Sequence, residues 1–334
     1  MAKIKVVIYG CGVMGRKVVE ALLDKASITV VGAVDINPEI VGKDLGEILD
    51  HPILIGVTIE EDADVLFSRV NADAVILTTT SHLKSVEPQI AQCINAGLNV
   101  VSTCEELSYP WKRSPELADK IDKMAKEAGV TVVGTGINPG YLMDSLPLTL
   151  TSPCLRVDSI KVTRVMNSGR RRIPFQKKVG TGMTPGEFLQ KINDKVITGH
   201  VGLLESINMI AAGLGWELDK TVELPPEAVI TENPIETGLG LVEPGNVIGL
   251  KSIAYGEMGG KKIITLEFFA FVGVEEEYDE VIIEGLPRIH ERVIGGVHGD
   301  LGTVAVTINT VLRAVQAAPG IKLMKDLPAP SCVS

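Results

Sequence analysis

The stretch Ile4-Lys5-Val6-Val7-Ile8-Tyr9-Gly10-Cys11-Gly12-Val13-Met14-Gly15-Arg16 decides how the first half of the chain folds. Ile4 to Tyr9 is a short apolar run of strand type, and Gly10 breaks it. Gly10 permits a tight turn out of the strand. Gly12 removes a Cβ where a pyrophosphate must approach the backbone, and Gly15 lets the next helix pack closely on the sheet. Val18 to Leu23 supplies the apolar face of that helix, whose free N–H groups at its start face an anion. A bare GxGxxG is a weak signal. Here it follows a strand, opens a helix and is followed by a second strand, Ile28 to Val34, so it reads as a dinucleotide turn rather than an unliganded glycine turn. Gly10, Gly12, Val13, Met14, Gly15 and Arg16 are the candidate cofactor contacts.

Asp35 ends the second strand, 20 residues after Gly15. A carboxylate there accepts hydrogen bonds from the adenosine ribose hydroxyls and repels a 2′-phosphate, which favours NAD. Arg16 keeps NADP as the alternative, because a guanidinium near the turn helps hold extra negative charge. Asp35 also starts the turn Asp35-Ile36-Asn37-Pro38, a role that needs no ligand. Farther along, strand and helix alternate. A short helix lies around Val65, a strand at Ala74–Leu77, a helix from Val86 to Ala96 stopping at Gly97, and a strand from Asn99 to Thr103. A Lys-rich helix from Ser114 to Glu127 ends at Gly129, and Val130–Gly134 is the next strand. This pattern predicts a parallel sheet covered by helices on both faces, with its functional crevice beyond the C-terminal strand ends.

Three loops begin at such ends. Thr78-Thr79-Thr80-Ser81-His82 offers small hydroxyl residues for close cofactor approach and an imidazole for proton exchange, although Ser81 is equally a natural N-cap with His82 on the surface. Cys104-Glu105-Glu106 brings Glu105 as a carboxylate for an ammonium or a water, while Cys104 reads as a space-filling thiol. In Gly134-Thr135-Gly136-Ile137-Asn138-Pro139-Gly140, Asn138 presents an amide suited to a nicotinamide edge, or serves an ordinary Asn-Pro turn. Tyr141 onward reads as a helix with Asp144 in its first turn.

The pattern changes near Ser159. Ile160–Val165 is a strand, Pro185–Ile192 a helix opened by Thr184, and Gly202–Leu214 an apolar helix. Val247–Tyr255, Lys262–Val272 and Tyr278–Glu284 read as a meander. The expected architecture is therefore α/β: an N-terminal Rossmann-type parallel sheet over 1–145, completed by a C-terminal helix over 300–318, and an α+β, mostly antiparallel domain over 146–299 that binds substrate and supports self-association. His200, at the start of the Gly202 helix, Glu205 inside it, and His298 before the last helix are candidate active-site residues. Asp300 either joins them or caps its helix. Arg170-Arg171-Arg172 is either a carboxylate site or a solvated basic face, and Pro328 to Ser334 a tail or surface strap.

Composition narrows the classes. With 334 residues, 45% of them hydrophobic and 22% charged, the chain carries about two domains with buried cores. A net charge of -10 disfavours a nucleic-acid surface, which needs clustered Lys and Arg. Cys11, Cys93, Cys104, Cys154 and Cys332 show neither zinc-ligand nor disulfide spacing, so no metal is expected and a reducing interior is. Met1-Ala2-Lys3 runs into a strand without a signal peptide, and no apolar run reaches the roughly 20 residues of a spanning helix. A cytoplasmic protein that contacts no membrane is expected.

The turn GCGVMGR, the loop TTTSH and the segment GTGINPG together resemble the dihydrodipicolinate-reductase-like dehydrogenases. Through TGHVGLLES, YGEMGG and GGVHGDLGT the second half is similar to the diaminopentanoate dehydrogenase branch. True dihydrodipicolinate reductases carry a His-His stretch with a Lys and a Gly-Thr motif in the second domain; here that region reads Val165-Met166-Asn167-Ser168-Gly169-Arg170, a departure that argues against cyclic-imine reduction. The resemblance implies NAD(P)-dependent oxidative deamination of a small diamino-acid substrate in ornithine fermentation: C4 of 2,4-diaminopentanoate becomes the ketone of 2-amino-4-oxopentanoate, with ammonia released. His82, Glu105, Asn138, His200, Glu205 and His298 are then the candidate catalytic and substrate residues, and Thr78, Thr79 and Thr80 join the cofactor contacts. A homodimer or higher homo-oligomer is expected. A related amino-acid or semialdehyde dehydrogenase, or a dinucleotide-sensing binding protein, is the competing reading.

Overall fold

The computed structural model describes residues 3–50 and 52–333. Met1, Ala2, His51 and Ser334 lie outside the described residues, including the first two residues of the opening segment and the last of the closing one. The chain forms two units, Met1–Tyr141 with His298–Ser334, and Leu142–Val297.

The first unit opens with β1 (Ile4–Tyr9), α1 (Val13–Leu23), β2 (Ile28–Val34), β3 (Ile59–Glu60) and α2 (Ala63–Arg69). It continues through β4 (Ala74–Leu77), α3 (Leu83–Asn95), β5 (Asn99–Ser102), α4 (Pro115–Ala128) and β6 (Thr131–Gly134). Val6 to Ile8, Ala74 to Leu77, Val100–Val101 and Val132–Val133 have no solvent exposure, as continuous apolar runs do when a sheet is covered on both faces. On one face Val7, Val75 and Val100 pack with Val86 and Ile90 of α3 and Ala118 and Ile121 of α4. Each large side chain buried there contributes about 1.5–3 kcal/mol.

In the second unit α5 (Ser145–Leu150) leads to β7 (Arg156–Asn167), α6 (Ile173–Lys178), α7 (Pro185–Asn193) and α8 (Leu203–Leu214). Short strands β8 (Lys220–Glu223), β9 (Glu227–Ile230), β10 (Ile235–Thr237) and β11 (Gly240–Val242) precede the long ones, β12 (Val247–Met258), β13 (Lys261–Phe271), β14 (Tyr278–Leu286) and β15 (Ile289–Ile294). The first unit then resumes with α9 (Gly299–Gln316) and β16 (Gly320–Lys322). Among the described residues its sheet runs β16-β6-β5-β4-β1-β2-β3, every pair parallel. The strand order reverses between β1 and β4, the point where such sheets open a crevice.

Several sequence expectations need correction. Asp144 is not inside a helix: Tyr141 to Asp144 form a turn, and Asp144 caps α5, its Oδ1 accepting from the Ser145 N–H at 2.6 Å. The three long strands are not a simple meander. β12 and β13 form a hairpin closed by Gly259-Gly260, both with positive φ, but β7 inserts between β13 and β14, parallel to the former and antiparallel to the latter. β7, buried from Val162 to Met166, gains a partner on each side this way, and the charged β15 takes an edge. The resulting sheet is mixed and mostly antiparallel.

In the same unit α8 packs on α5, β8, β12 and β13. A Cβ on Gly213 would lie 2.6 Å from Leu148, so the glycine sets the α5–α8 approach. Ser206 Oγ donates to Asp144 Oδ2 at 2.8 Å and fastens the same pair of helices.

β16, which the sequence reading did not register, extends the parallel sheet beside β6. Gly320 holds φ +109, and a Cβ there would sit 2.6 Å from Asp122 Oδ1, the atom that accepts the Ile321 N–H at 2.9 Å. The closing segment straps the unit: Lys25 donates to the Val333 carbonyl at 2.6 Å and the Val333 N–H to Asn309 Oδ1 at 3.0 Å. Replacing Asp122 with Ala is expected to lower stability by about 1–2 kcal/mol and to speed hydrogen exchange at Ile321 and Lys322 before that of β1. Exchange measured by NMR checks this, and unchanged protection at those amides would count against the anchoring.

Candidate functional site

The turn after β1 is built by close approach. Gly10 holds φ +97, and a Cβ on it would press on Thr79 Cγ2 at 2.8 Å. A Cβ on Gly15 would fall 1.9 Å from the Gly10 carbonyl oxygen, so helix and turn meet at a distance only glycine allows. Around Gly12 nothing lies within 4 Å of the Cβ position. The three glycines thus divide their work as the phosphate-turn pattern requires: a bend, an open approach for an anion, and a tight joint. Val13, half exposed, and Met14 open α1 just beyond.

Neighbouring loops complete the cradle. Thr78 Oγ1 donates to the Gly10 carbonyl at 2.7 Å and ties the loop after β4 to the turn after β1. Thr79 Oγ1 is taken by Gln89, and Thr80 Oγ1 accepts from the His82 N–H at 3.4 Å. Asp35 fills the turn role read from the sequence and also holds the phosphate turn. Its Oδ2 accepts from the Cys11 N–H at 2.6 Å, and its Oδ1 from the Asn37 N–H at 2.8 Å, the local turn bond. A carboxylate has about four acceptor positions, so two remain for ribose hydroxyls. Arg16 Nε donates to the Cys11 carbonyl at 3.1 Å, which bends its guanidinium back over the turn. Burial first, and then the Asp35 charge, push the Cys11 thiol up to about 12, and burial does the same to Cys104. Neither is a nucleophile at neutral pH.

The loop after β4 departs from expectation. Ser81 is not the N-cap of α3; His82 occupies that position and its side chain makes no cap bond. Glu106 caps the helix instead, accepting from the Leu83 N–H at 2.8 Å through Oε2 while Oε1 lies 3.1 Å from His82 Nδ1. The structure therefore joins His82 to Glu106, whereas Glu105 begins the 3-10 turn Glu105–Ser108 beside them. Along Gly134–Gly140, Thr135 Oγ1 and Asn138 Oδ1 are buried without a hydrogen-bond partner, as is Ser108 Oγ. A Cβ on Gly134 would strike the Leu107 backbone at 2.5 Å, so this segment lies directly on the Leu107–Ser108 turn. An open phosphate approach, a ribose acid and a buried unpartnered carboxamide oxygen are the features an oxidised dinucleotide needs, and the residues of this unit fit one. His298 is the N-cap of α9, Nδ1 accepting from the Leu301 N–H at 3.4 Å; Asp300 is therefore not the cap but a first-turn residue, 3.9 Å from Lys17.

In the second unit the strand register sets one row across four strands: Ser252 of β12, Phe268 of β13, Arg164 of β7 and Asp279 of β14. The two preceding rows on this face are apolar, Ile160 with Ile264 and Ile283, then Val162 with Leu266 and Val281. Arg164 is 2% exposed. Its Nη2 donates to the Val297 carbonyl at 2.5 Å and its Nη1 lies 3.5 Å from Asp279 Oδ1. Burial lowers its pKa, against the pull of Asp279, and burial raises that of Asp279.

His200 does not lie on a helix as read from the sequence; α8 starts at Leu203 behind Gly202, whose φ of +109 breaks the path. The ring instead stacks on Phe268 at 4.3 Å between centroids, and its backbone N–H donates to Ser252 Oγ at 3.2 Å. Its pKa falls to about 3, mainly through burial and then through Arg164 and Lys178, so the imidazole is neutral. Both His200 Nε2 and Arg164 Nη1 are buried without a hydrogen-bond partner. Glu205 sits in the first turn of α8, 3% exposed. The Arg170–Arg172 run is not one surface: Arg170 pairs with Glu277 at 2.7 Å in solvent, Arg171 is buried over Phe175, and Arg172 precedes α6. Arg164 was missed in the sequence, where its one signal was a charge among apolar strand residues.

Three predictions rest on this geometry. Gly15→Ala should cost about 1–3 kcal/mol of stability, read by urea unfolding. Gly12→Ala should fold normally yet bind dinucleotide at least about tenfold more weakly (~1.4 kcal/mol), read by fluorescence titration; equal binding would remove the turn from the site. For His200 the folded pKa lies below the unfolded one, so its stabilising effect is complete above pH 6.5 and declines as pH falls toward 3. Between pH 7 and 5 the native chain should lose up to about 2 kcal/mol more than His200→Gln.

Comparison with known proteins bears on the fold and the family. Residues 4–135 match the family model for the dihydrodipicolinate reductase N-terminus, and residues 141–334 that for the 2,4-diaminopentanoate dehydrogenase C-terminal domain. A 2,4-diaminopentanoate dehydrogenase from Acetoanaerobium sticklandii is 33% identical over 100% of this chain and 96% of its own length. An amine dehydrogenase from Streptomyces virginiae is 24% identical over 97% of the chain and 96% of its own. The solved structure of an amine dehydrogenase from Mycobacterium smegmatis superposes with a TM-score of 0.85 at 27% identity, covering 99% of this chain and 97% of that one. The chain belongs to the 2,4-diaminopentanoate dehydrogenase family, a group of NAD(P)-dependent oxidoreductases of amine and amino-acid substrates.

Proposed function

We propose that this protein oxidatively deaminates 2,4-diaminopentanoate at C4 to 2-amino-4-oxopentanoate, with NAD as the preferred cofactor. One observation carries the choice of an amino-acid substrate over a simple amine. Arg164 is a buried guanidinium whose Nη1 has no hydrogen-bond partner, in the row whose Phe268 carries the stacked His200 ring, whose Nε2 has none either. A buried donor without a partner costs about 1–3 kcal/mol, and a substrate α-carboxylate would satisfy it with a charge-assisted bond. A carboxylate-free amine offers nothing to that group. The full-length likeness to the A. sticklandii enzyme supports the same substrate.

In this reading Gly10, Gly12, Val13, Met14, Gly15 and Arg16 hold the pyrophosphate, Asp35 the ribose, and Thr78 to Thr80 line the approach. Asn138, whose Oδ1 is buried without a hydrogen-bond partner, would hold the nicotinamide carboxamide. The cofactor, when bound, supplies the hydride acceptor. His82, its Nδ1 held by Glu106, takes one proton from the C4 ammonium, so that the nitrogen lone pair forms C=N as the C4–H bond leaves with both electrons. Glu105 directs the water whose oxygen adds to C4; one of the water's protons passes to the nitrogen and the other is released to solvent, so that ammonia departs as the C–N bond breaks and the ketone forms. Asp35 disfavours a 2′-phosphate, which is the reason for NAD over NADP.

Turnover of 2,4-diaminopentanoate should yield reduced cofactor and ammonia in equal amounts, faster with NAD than with NADP. Reduction without ammonia, or faster turnover of a semialdehyde, would sink the assignment. His82→Ala should lower kcat by roughly 10²–10⁴ with dinucleotide affinity little changed.

A further inference from the structure

We infer that Asp279 is a positioning residue: it fixes the Arg164 guanidinium with one donor left open, and so makes the site choose carboxylate-bearing amines. The inference rests on the substrate reading given above and adds to it the device that tunes it.

The clamp on Arg164 is made from three groups. Val297 contributes both sides of its backbone, its carbonyl accepting from Arg164 Nη2 at 2.5 Å and its N–H donating to Asp279 Oδ2 at 2.7 Å. Guanidinium and carboxylate are therefore each held by the same residue, in fixed relation to one another. Asp279 Oδ1 then faces Nη1 at 3.5 Å, close enough for strong attraction but beyond a hydrogen bond, and neither atom has a hydrogen-bond partner. With side chains 3% and 5% exposed, no bulk solvent screens the pair.

A purely structural ion pair in such surroundings gains most by closing to two parallel hydrogen bonds. This one does not. The carboxylate offsets the charge of a guanidinium that would otherwise be very costly to bury, and leaves the Nη1 hydrogens for another acceptor. The rest of the neighbourhood keeps the balance narrow. Arg171 adds positive charge and Glu277 negative charge near Arg164, while His200 is neutral. Nor does the fold call for a polar row, since the two rows before it are apolar and a third would pack as well.

The test uses the full chain and two substrates differing only in the carboxylate, 2,4-diaminopentanoate and butane-1,3-diamine. Asp279→Asn should raise KM for the former at least about tenfold, with a smaller change in kcat, and lower its kcat/KM relative to that of the diamine by a similar factor. Arg164→Met should lower the same ratio further, and the double variant should be no worse than Arg164→Met alone, the signature of a residue acting through its neighbour. Should Asp279→Asn not fold, Asp279→Glu keeps the charge but displaces it by one methylene, and the same loss of ratio is expected. Equal losses on both substrates, or additive losses in the double variant, overturn the positioning role. If Arg164→Met leaves the ratio unchanged, the carboxylate reading itself fails; if it lowers the ratio while neither Asp279 variant does, only the role of Asp279 fails.

Discussion

A side chain of even one carbon on Gly15 would overlap the Gly10 carbonyl oxygen, and the dinucleotide-binding unit is organised around that contact. Because α1 starts this close to the end of β1, its first N–H groups face the space beside Gly12, where no protein atom intrudes. The loop after β4 is drawn to the same point by the bond from Thr78 to Gly10, which brings the two strands flanking the sheet's reversal together. Asp35 then serves twice, as a turn-forming acceptor and as an acid at the crevice. An open turn beside the start of α1 thus emerges from one steric requirement and two short polar bonds.

The second unit rests on a different constraint, the insertion of β7 between β13 and β14. That pairing aligns Ser252, Phe268, Arg164 and Asp279 in a single row after two apolar ones. His200 reaches the row from a loop, held by stacking on Phe268 and by Ser252 Oγ. Low solvent access makes every polar group here consequential. A charge or donor in such a place is retained against a real cost, and the protein places several together.

Much of the site near the dinucleotide was legible in the sequence because its determinants are local. A glycine needed for a bend, another for an open approach and an acid at a strand end sit at fixed offsets along the chain. The cap of α3 was not legible: Ser81 has the right chemistry, but Glu106, 24 residues beyond His82, does the capping and holds the imidazole. Chain neighbours cannot reveal a group delivered by another loop.

The sequence by itself determined the alternation of elements, the parallel sheet of the first unit, the phosphate turn and the mostly antiparallel character of the second sheet, since periodicity and glycine placement act over a few residues. Only the tertiary structure decided that β7 is an inner strand, that Arg164 is a buried cation while the Arg170–Arg172 run divides between solvent and interior, and that His200 is neutral beside Arg164. Those outcomes depend on strand register and on the exclusion of water by residues far apart in the chain, which no local pattern encodes.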